Sequence, residues 1–164
     1  MRKIHYSYVL KLKPMDIKIV STNKKARFEY QIFETFEAGI VLKGSEIKSI
    51  RLGQVSLQES YIRIDGREAW LVGATIAVYK QASILNHNPN RERKLLLHER
   101  EIHDLWDEVR IKGITLVPTK MYLKNGRAKL EIGLAKGKKQ YDKREAIKER
   151  DIAREDKRRS NRDD

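Results

Sequence analysis

Ile114-Thr115-Leu116-Val117-Pro118-Thr119-Lys120-Met121-Tyr122-Leu123-Lys124, then Asn125-Gly126, then Arg127-Ala128-Lys129-Leu130-Glu131-Ile132-Gly133-Leu134-Ala135, is the stretch that decides the fold. Two extended runs flank Asn-Gly, the dipeptide best suited to a two-residue hairpin turn because both positions tolerate positive φ. Pro118 has no N–H to give to a strand ladder, which places it at an edge or a bulge. Working outward, Tyr61-Ile62-Arg63-Ile64, an Asp65-Gly66 turn and Ala69-Trp70-Leu71-Val72 predict a second hairpin, with Ala74 to Tyr79 extending its second arm. Phe28, Tyr30 and Ile32 alternate as in a half-buried strand entered through the cationic Asn23-Lys24-Lys25-Ala26-Arg27. Glu34 to Leu42 continue as another extended run, and Gly39 within it points to a bulge or a close backbone approach. Ile17, Ile19 and Val20 suggest an extended piece on the domain edge.

Two segments read as helices. Gly44 and Ser45 open the first, Ile47 and Ile50 share its inner face, and Gly53 ends it. His98 to Lys112 forms the second: Ile102, Leu105, Trp106 and Val109 follow the helical period as its core face, with Gly113 beyond its end. About six short strands and two helices, without strand–helix alternation or internal repeats, predict a mainly β chain with short helices. The expected architecture is a small antiparallel Greek-key barrel of the oligonucleotide-binding type.

The 164 residues suffice for one domain and a tail: residues 1–20 as an N-terminal extension, 21–135 as the barrel and 136–164 as the tail. With 36 Lys and Arg against 23 Asp and Glu, the net charge is +13. Such a balance favours nucleic acid as partner over an anionic membrane, since no stretch joins a basic face to a broad Leu or Phe face. The absence of cysteine excludes disulfides and thiolate zinc sites and fits a reducing compartment. Lys11 and Lys13 interrupt the apolar run Tyr6 to Leu10, which is too short and too charged for a signal peptide or a membrane span, so a cytoplasmic location is expected.

From Lys136 onward there are twelve Lys or Arg and eight Asp or Glu, with Tyr141, Ile147 and Ile152 as the only large apolar or aromatic residues. Such a tail has no core of its own. Wound as a helix, it would place Lys143, Arg150, Arg154, Lys157 and Arg158 on a face about 100° wide that carries no acid. Two readings stand: a solvated charged segment, or one that folds on a polyanion and lays its basic stripe on phosphates.

Catalytic patterns fail on spacing. His98 and His103 are five apart, about 140° around a helix, where a zinc-protease pair needs four. Gly133 to Lys139 is one residue short of a phosphate-binding loop and lacks its Ser or Thr. Glu34 and Glu37 have abundant Lys and Arg for ordinary ion pairing. No catalytic group, metal site or cofactor is expected. Lys48 and Arg51 share a helix face that is either ordinary wet surface or a pair of phosphate contacts. The polar loop His87 to Lys94, running into Leu95-Leu96-Leu97, is either a stacking and phosphate platform or the approach to core.

Four motifs together resemble the SmpB (small protein B) family: Glu37-Ala38-Gly39-Ile40, Gly44-Ser45-Glu46-Ile47-Lys48-Ser49-Ile50-Arg51, Arg93-Lys94-Leu95-Leu96-Leu97-His98, and Ala135-Lys136-Gly137-Lys138-Lys139-Gln140-Tyr141-Asp142-Lys143-Arg144. The resemblance runs from about Ser21 to Asp164. It implies an oligonucleotide-binding barrel that holds the tRNA-like domain of transfer-messenger RNA and accompanies it into stalled bacterial ribosomes for trans-translation, the protein standing in for an anticodon arm. It carries RNA-binding roles to Glu37, Leu96 and His98, and the neighbours Asn23, Lys24, Arg27, Lys48, Arg51 and Lys94 are added as candidates. The implied tail is loose when free and helical in the empty mRNA channel near the decoding centre. Gly137, Lys138, Lys139, Asp142, Lys143 and Arg144 then engage the ribosome, with Tyr141 as a stacking residue where some relatives have His, and with Arg150 and Arg154 of the basic stripe. The implied partners are transfer-messenger RNA and the small-subunit rRNA of a stalled ribosome, with no membrane, a monomer on the RNA and no enzymatic activity. Met1 to Pro14 have no counterpart in that pattern, and Met15-Asp16-Ile17 would make a natural family start. Competing readings are a constitutive ribosomal or initiation-type RNA-binding module and an RNA-processing enzyme.

Overall fold

The structure, a computed structural model, describes residues 17–81, 86–139, 147 and 151–152. Asn125 and Gly126 both take positive φ, 50° and 76°, the conformation their dipeptide favours. On either side of them run β8 (Ile114–Lys124) and β9 (Arg127–Gly137), paired along their length. Preceding them are β1 (Ile17–Thr22), α1 (Lys24–Glu29), β2 (Tyr30–Ile40), α2 (Gly44–Arg51), β3 (Val55–Ser56), β4 (Tyr61–Asp65), β5 (Glu68–Val72), β6 (Thr75–Ile76), β7 (Arg93–Leu96) and α3 (Glu99–Val109). One seven-stranded antiparallel sheet runs β1-β8-β9-β2-β7-β5-β4, and β3 pairs with β6 apart from it. β4 packs back against β8, so the sheet curls into a barrel. The sheet takes in residues 17–20, assigned above to the extension, and continues to Gly137.

Of three register shifts in the sheet, the one between Ile19 and Ser21 lies on the edge strand β1, and the other two set which side chains of β8 and β2 face inward. The β8–β9 register shifts between Pro118 and Lys120, as expected for a bulge at this proline. Before the bulge Leu116 faces the main core, and after it Met121 and Leu123 do. A second shift between Ile32 and Glu34 has the same effect in β2: Phe36 packs on the main core, whereas Ile32 joins a small cluster with Ala26, Val117 and Ala135. An extra residue flips the period-two alternation, so a strand can serve one core with its first half and another with its second.

Four expectations are corrected. Lys24 to Glu29 form a helix and not a strand entrance: the Asn23 Oδ1 accepts from the Ala26 N–H at 2.9 Å, an N-cap bond. Ala74 to Tyr79 do not extend β5, because Gly73 turns the chain at φ 75° and leaves Thr75–Ile76 to pair with β3. A Cβ at Gly73 would lie 2.6 Å from the Glu59 carbonyl oxygen, so only glycine fits that turn. Trp106 is 41% exposed; α3 reaches the core through Ile102 and Leu105. Arg93, read as part of a polar loop, is fully buried. The described residues form nine strands and three helices, more than the tally from sequence, because the two-residue strands and the single-turn α1 carry no periodic signal.

Arg93 is buried because Glu46 is buried with it. The Glu46 Oε1 accepts from Arg93 Nε at 2.9 Å and Arg91 Nε at 2.8 Å; its Oε2 accepts from Arg91 Nη2 at 2.5 Å and from the Lys43 backbone N–H at 2.7 Å. Arg93 spends its other donors on the carbonyls of Ala74, Arg91 and Pro89. Burial pushes the Glu46 carboxyl up, but the Arg91, Lys43 and Arg93 bonds outweigh it and hold the group below its ordinary 4.5. A depressed folded-state value contributes stability that is present above pH 4.5 and is lost as pH falls through the folded-state value. Thermal unfolding followed against pH is therefore expected to show a Tm that drops on acidification below that point, and Glu46→Ala should remove much of the dependence. Denaturant titration of Glu46→Ala should show a loss of about 3–5 kcal/mol, because Arg93 is left as an unpaired buried charge.

Candidate nucleic-acid interface

The outward side chains of β8, β9 and β2 form one polar face. Lys120, Tyr122 and Lys124 alternate along β8, Arg127, Lys129 and Glu131 along β9, and Thr35 and Glu37 along β2. Near its middle the Glu37 carboxylate accepts from the Tyr122 hydroxyl at 2.5 Å and from Lys124 Nζ at 3.0 and 3.1 Å, with Lys129 Nζ at 3.5 Å. The Tyr122 bond, followed by that from Lys124, holds the Glu37 carboxyl below its ordinary range. Burial, and then the bond to Glu37, push the Tyr122 phenol up. At neutral pH this is an ionised carboxylate held by a neutral phenol and two ammonium groups, which leaves the surrounding surface cationic.

Beyond Glu37 along β2, Gly39 pairs with Leu96 of β7. A Cβ on Gly39 would come within 3.2 Å of the Leu96 Cβ, so the glycine is what lets Leu96 lie over the neighbouring strand. Leu96 remains 54% exposed there and lines a groove of about 430 Å³ with Gly39, Leu42, Lys43, Arg127 and Lys129. An exposed leucine among three cations suits a ligand with apolar faces and phosphates.

The candidates named from sequence separate into groups. Leu96 lines this groove, Glu37 meets it through Lys129, and His98 follows Leu96 as the exposed N-cap of α3. Lys94, on the same strand as Leu96, pairs with Glu68. Lys48 and Arg51 are exposed on α2, with Lys48 Nζ 5.3 Å from the Tyr79 ring centre. Asn23, Lys24 and Arg27 belong to α1, at the other end of β2, up to about 30 Å away by strand rise. Asn23 is also buried, its Nδ2 donating to the carbonyls of Leu57 at 2.7 Å and Pro118 at 3.0 Å, so its side chain offers no free polar atom and acts as internal structure.

Arg27 instead meets the root of the tail. The Lys138 N–H donates to the Glu29 carbonyl at 2.8 Å and Lys138 Nζ to that of Arg27 at 3.3 Å. Arg27, Tyr30, Gln31, Thr35, Glu131 and Lys138 line a second cleft there. Gly137 pairs with Tyr30 and Lys139 is exposed. Tyr141, Asp142, Lys143, Arg144, Arg150 and Arg154 lie outside the described residues, as do Met1 to Pro14. The reading from sequence missed Lys43, Tyr122, Lys124, Arg127 and Lys129. For the last four the outward alternation on either side of Asn125-Gly126 was the available signal.

The SmpB protein family profile matches residues 20–162. The chain belongs to the SmpB family. An SsrA-binding protein of Persephonella marina is 62% identical over 141 residues, covering 86% of this chain and 93% of its own length. An SsrA-binding protein of a Sulfurihydrogenibium species is 55% identical over 141 residues, with the same coverage. A solved structure described as "tmRNA-SmpB: a journey to the center of the bacterial ribosome" superposes with a TM-score of 0.63 at 43% identity, over 82% of this chain and 95% of that one. The match thus takes in β2 to β9 and residues 138–162 beyond them. Among the described residues no helix is long and apolar enough to cross a membrane, and no three or more His, Asp or Glu are placed to hold a metal ion.

In Tyr122→Phe the bond that most lowers the Glu37 carboxyl is gone, so its titration midpoint, followed by side-chain carboxyl NMR, should move up toward 4.5. An unmoved midpoint would contradict the assignment of that bond.

Proposed function

We propose that this protein binds the tRNA-like domain of transfer-messenger RNA through the Leu96 groove and the adjoining cationic face, and delivers it to stalled ribosomes for trans-translation. The observation that carries this reading is the pairing of Gly39 with an exposed Leu96 beside Lys43, Arg127 and Lys129. RNA recognition needs an apolar surface for an unstacked base or ribose and cations for the flanking phosphates. The relatives named SsrA-binding protein and the tmRNA-SmpB ribosome structure support the same partners.

The geometry of Glu37 alters its expected role. Its oxygens are already engaged by Tyr122, Lys124 and Lys129, so it orders these donors and can offer only remaining lone pairs to a base amino group or a 2′-hydroxyl. His98 and Lys94 extend the surface along β7, while Arg27, Lys138 and Lys139 belong with the tail root and a ribosomal contact. Residues 140–164 then supply the ribosome-engaging tail, with Tyr141, Asp142, Lys143 and Arg144 nearest the barrel. Peptide transfer is left to the ribosome and the protein itself performs no chemistry.

Filter-binding titrations with the isolated tRNA-like domain across a salt series test the groove. Leu96→Ala should cost about 2 kcal/mol of affinity at unchanged salt slope, as loss of a buried apolar contact does. Lys129→Ala should flatten the log–log salt slope by roughly 0.7–0.9, as loss of one phosphate contact does. Deleting residues 140–164 should leave that affinity intact and abolish peptide tagging on stalled ribosomes. Full tagging by the truncated protein would favour a module that serves the ribosome by its barrel alone.

A further inference from the structure

The groove's near wall is the Leu42-Lys43-Gly44 segment that turns β2 into α2. Backbone bonds hold the turn's ends, from the Val41 N–H to the Lys94 carbonyl at 2.9 Å and from the Glu46 and Ile47 N–H groups to the Lys43 carbonyl at 3.1 and 3.2 Å, and Leu42 packs on the main core; Lys43 and Gly44 between them are exposed, and a Cβ on Gly44 would meet nothing within 4 Å. A side chain from elsewhere ties the two ends to each other. Arg91 Nη2 donates both to the Glu46 Oε2 at 2.5 Å and to the Val41 carbonyl at 3.1 Å, and the same Oε2 accepts from the Lys43 N–H. One guanidinium therefore spans the two ends of the turn, Val41 before it and Glu46 after it. Across the groove stand Leu96, held by the β2–β7 ladder, and Arg127 and Lys129, held by the β8–β9 hairpin. With that side built on ladder-paired strands, the position of the turn sets how wide the groove is.

We propose that Arg91 is a positioning residue for RNA binding: through Glu46 and Val41 it fixes the Leu42-Lys43-Gly44 wall at the width that the RNA requires, without touching RNA. This inference rests on the groove being the RNA-binding surface. Arg91 suits the task because a planar, forked guanidinium can hold a carboxylate and a carbonyl at once, which an ammonium group does not. It is also separable from the core. Its side chain is 24% exposed, whereas Arg93 and Glu46 are fully buried and remain paired with each other when Arg91 is removed. Arg91 acts where a general electrostatic role would not need it: four donors converge on Glu46, two of them from Arg91, although Arg93 and the Lys43 N–H suffice to cap both oxygens.

The test compares Arg91→Ala, Arg91→Lys, Leu96→Ala and Lys129→Ala in salt-series titrations with the isolated tRNA-like domain, well below each variant's Tm. Both Arg91 variants are expected to bind about tenfold more weakly than the parent with an unchanged salt slope. Arg91→Lys keeps the charge and still fails, and amide NMR shifts in the free variants should centre on residues 41–44. A slope flattened by roughly 0.7–0.9 in Arg91→Ala, with binding restored in Arg91→Lys, would make Arg91 a phosphate contact and overturn the inference. Parental affinity in both Arg91 variants would reduce it to a stabilising residue and overturn it equally. Parental affinity in Leu96→Ala and Lys129→Ala would remove the groove reading, and the inference with it. Normal binding confined to the Arg91 variants removes only the inference.

Discussion

A carboxylate with no exposure to water, Glu46, holds this fold's functional end together. It takes hydrogen bonds from the N-cap of its own helix and from two arginines forty-five and forty-seven residues further along the chain. A buried ion cluster is not a cheap way to gain stability, since apolar residues of the same volume often serve as well. What it provides is direction. A leucine pair could slide, but Glu46 accepts from Arg91 and Arg93 in one arrangement, and Arg93 then locks the carbonyls of Ala74 and Pro89. By this network α2, β7 and the segments before them are fixed to one another, and the groove lies on that junction.

The second constraint is the pair of bulges. Without the extra residues near Phe33 and Thr119, β2 and β8 would send the same parity of side chain inward along their whole length. With them, the ends of the strands near α1 build the small cluster of Ala26, Val117 and Ala135, and the remainder builds the main core. The outward face is thereby divided. At one end it carries Leu96 and its cations, at the other Arg27, Tyr30 and Lys138, where the tail begins. On the proposed reading, a long sheet keeps an RNA-holding end and a ribosome-facing end apart by the length of β2, with Glu37 and its partners between them.

The β8–β9 hairpin, its turn and the bulge at Pro118 were legible because each is written in neighbouring residues. So were α2, α3 and the β4–β5 hairpin, although the turn residues there are Gly66 and Arg67. α1 was missed because Phe28, Tyr30 and Ile32 alternate as a strand does, while Asn23, a suitable helix cap, was read as a surface residue. The ion cluster was illegible: Arg91 and Arg93 look like solvated loop charges until the fold brings them to Glu46. The site was legible only in part. Glu37, Leu96 and His98 came with the family resemblance, and physics alone did not single them out. Lys129 and Tyr122 become neighbours of Glu37 only once strand register is known, and register is a tertiary fact. Asn23 fell out of the site for the converse reason: its amide is consumed inside.

On the proposed reading the two ends of the outer face do different things, the Leu96 end gripping the tRNA-like domain and the Arg27–Lys138 end leading to the tail. Titrating ¹⁵N-labelled full-length protein with the isolated tRNA-like domain and following backbone amide shifts tests it directly. Shifts are expected at Gly39, Leu96, Arg127 and Lys129 and none at Arg27, Thr35 and Lys138. Shifts centred on Arg27, Thr35 and Lys138, with the groove silent, would contradict it.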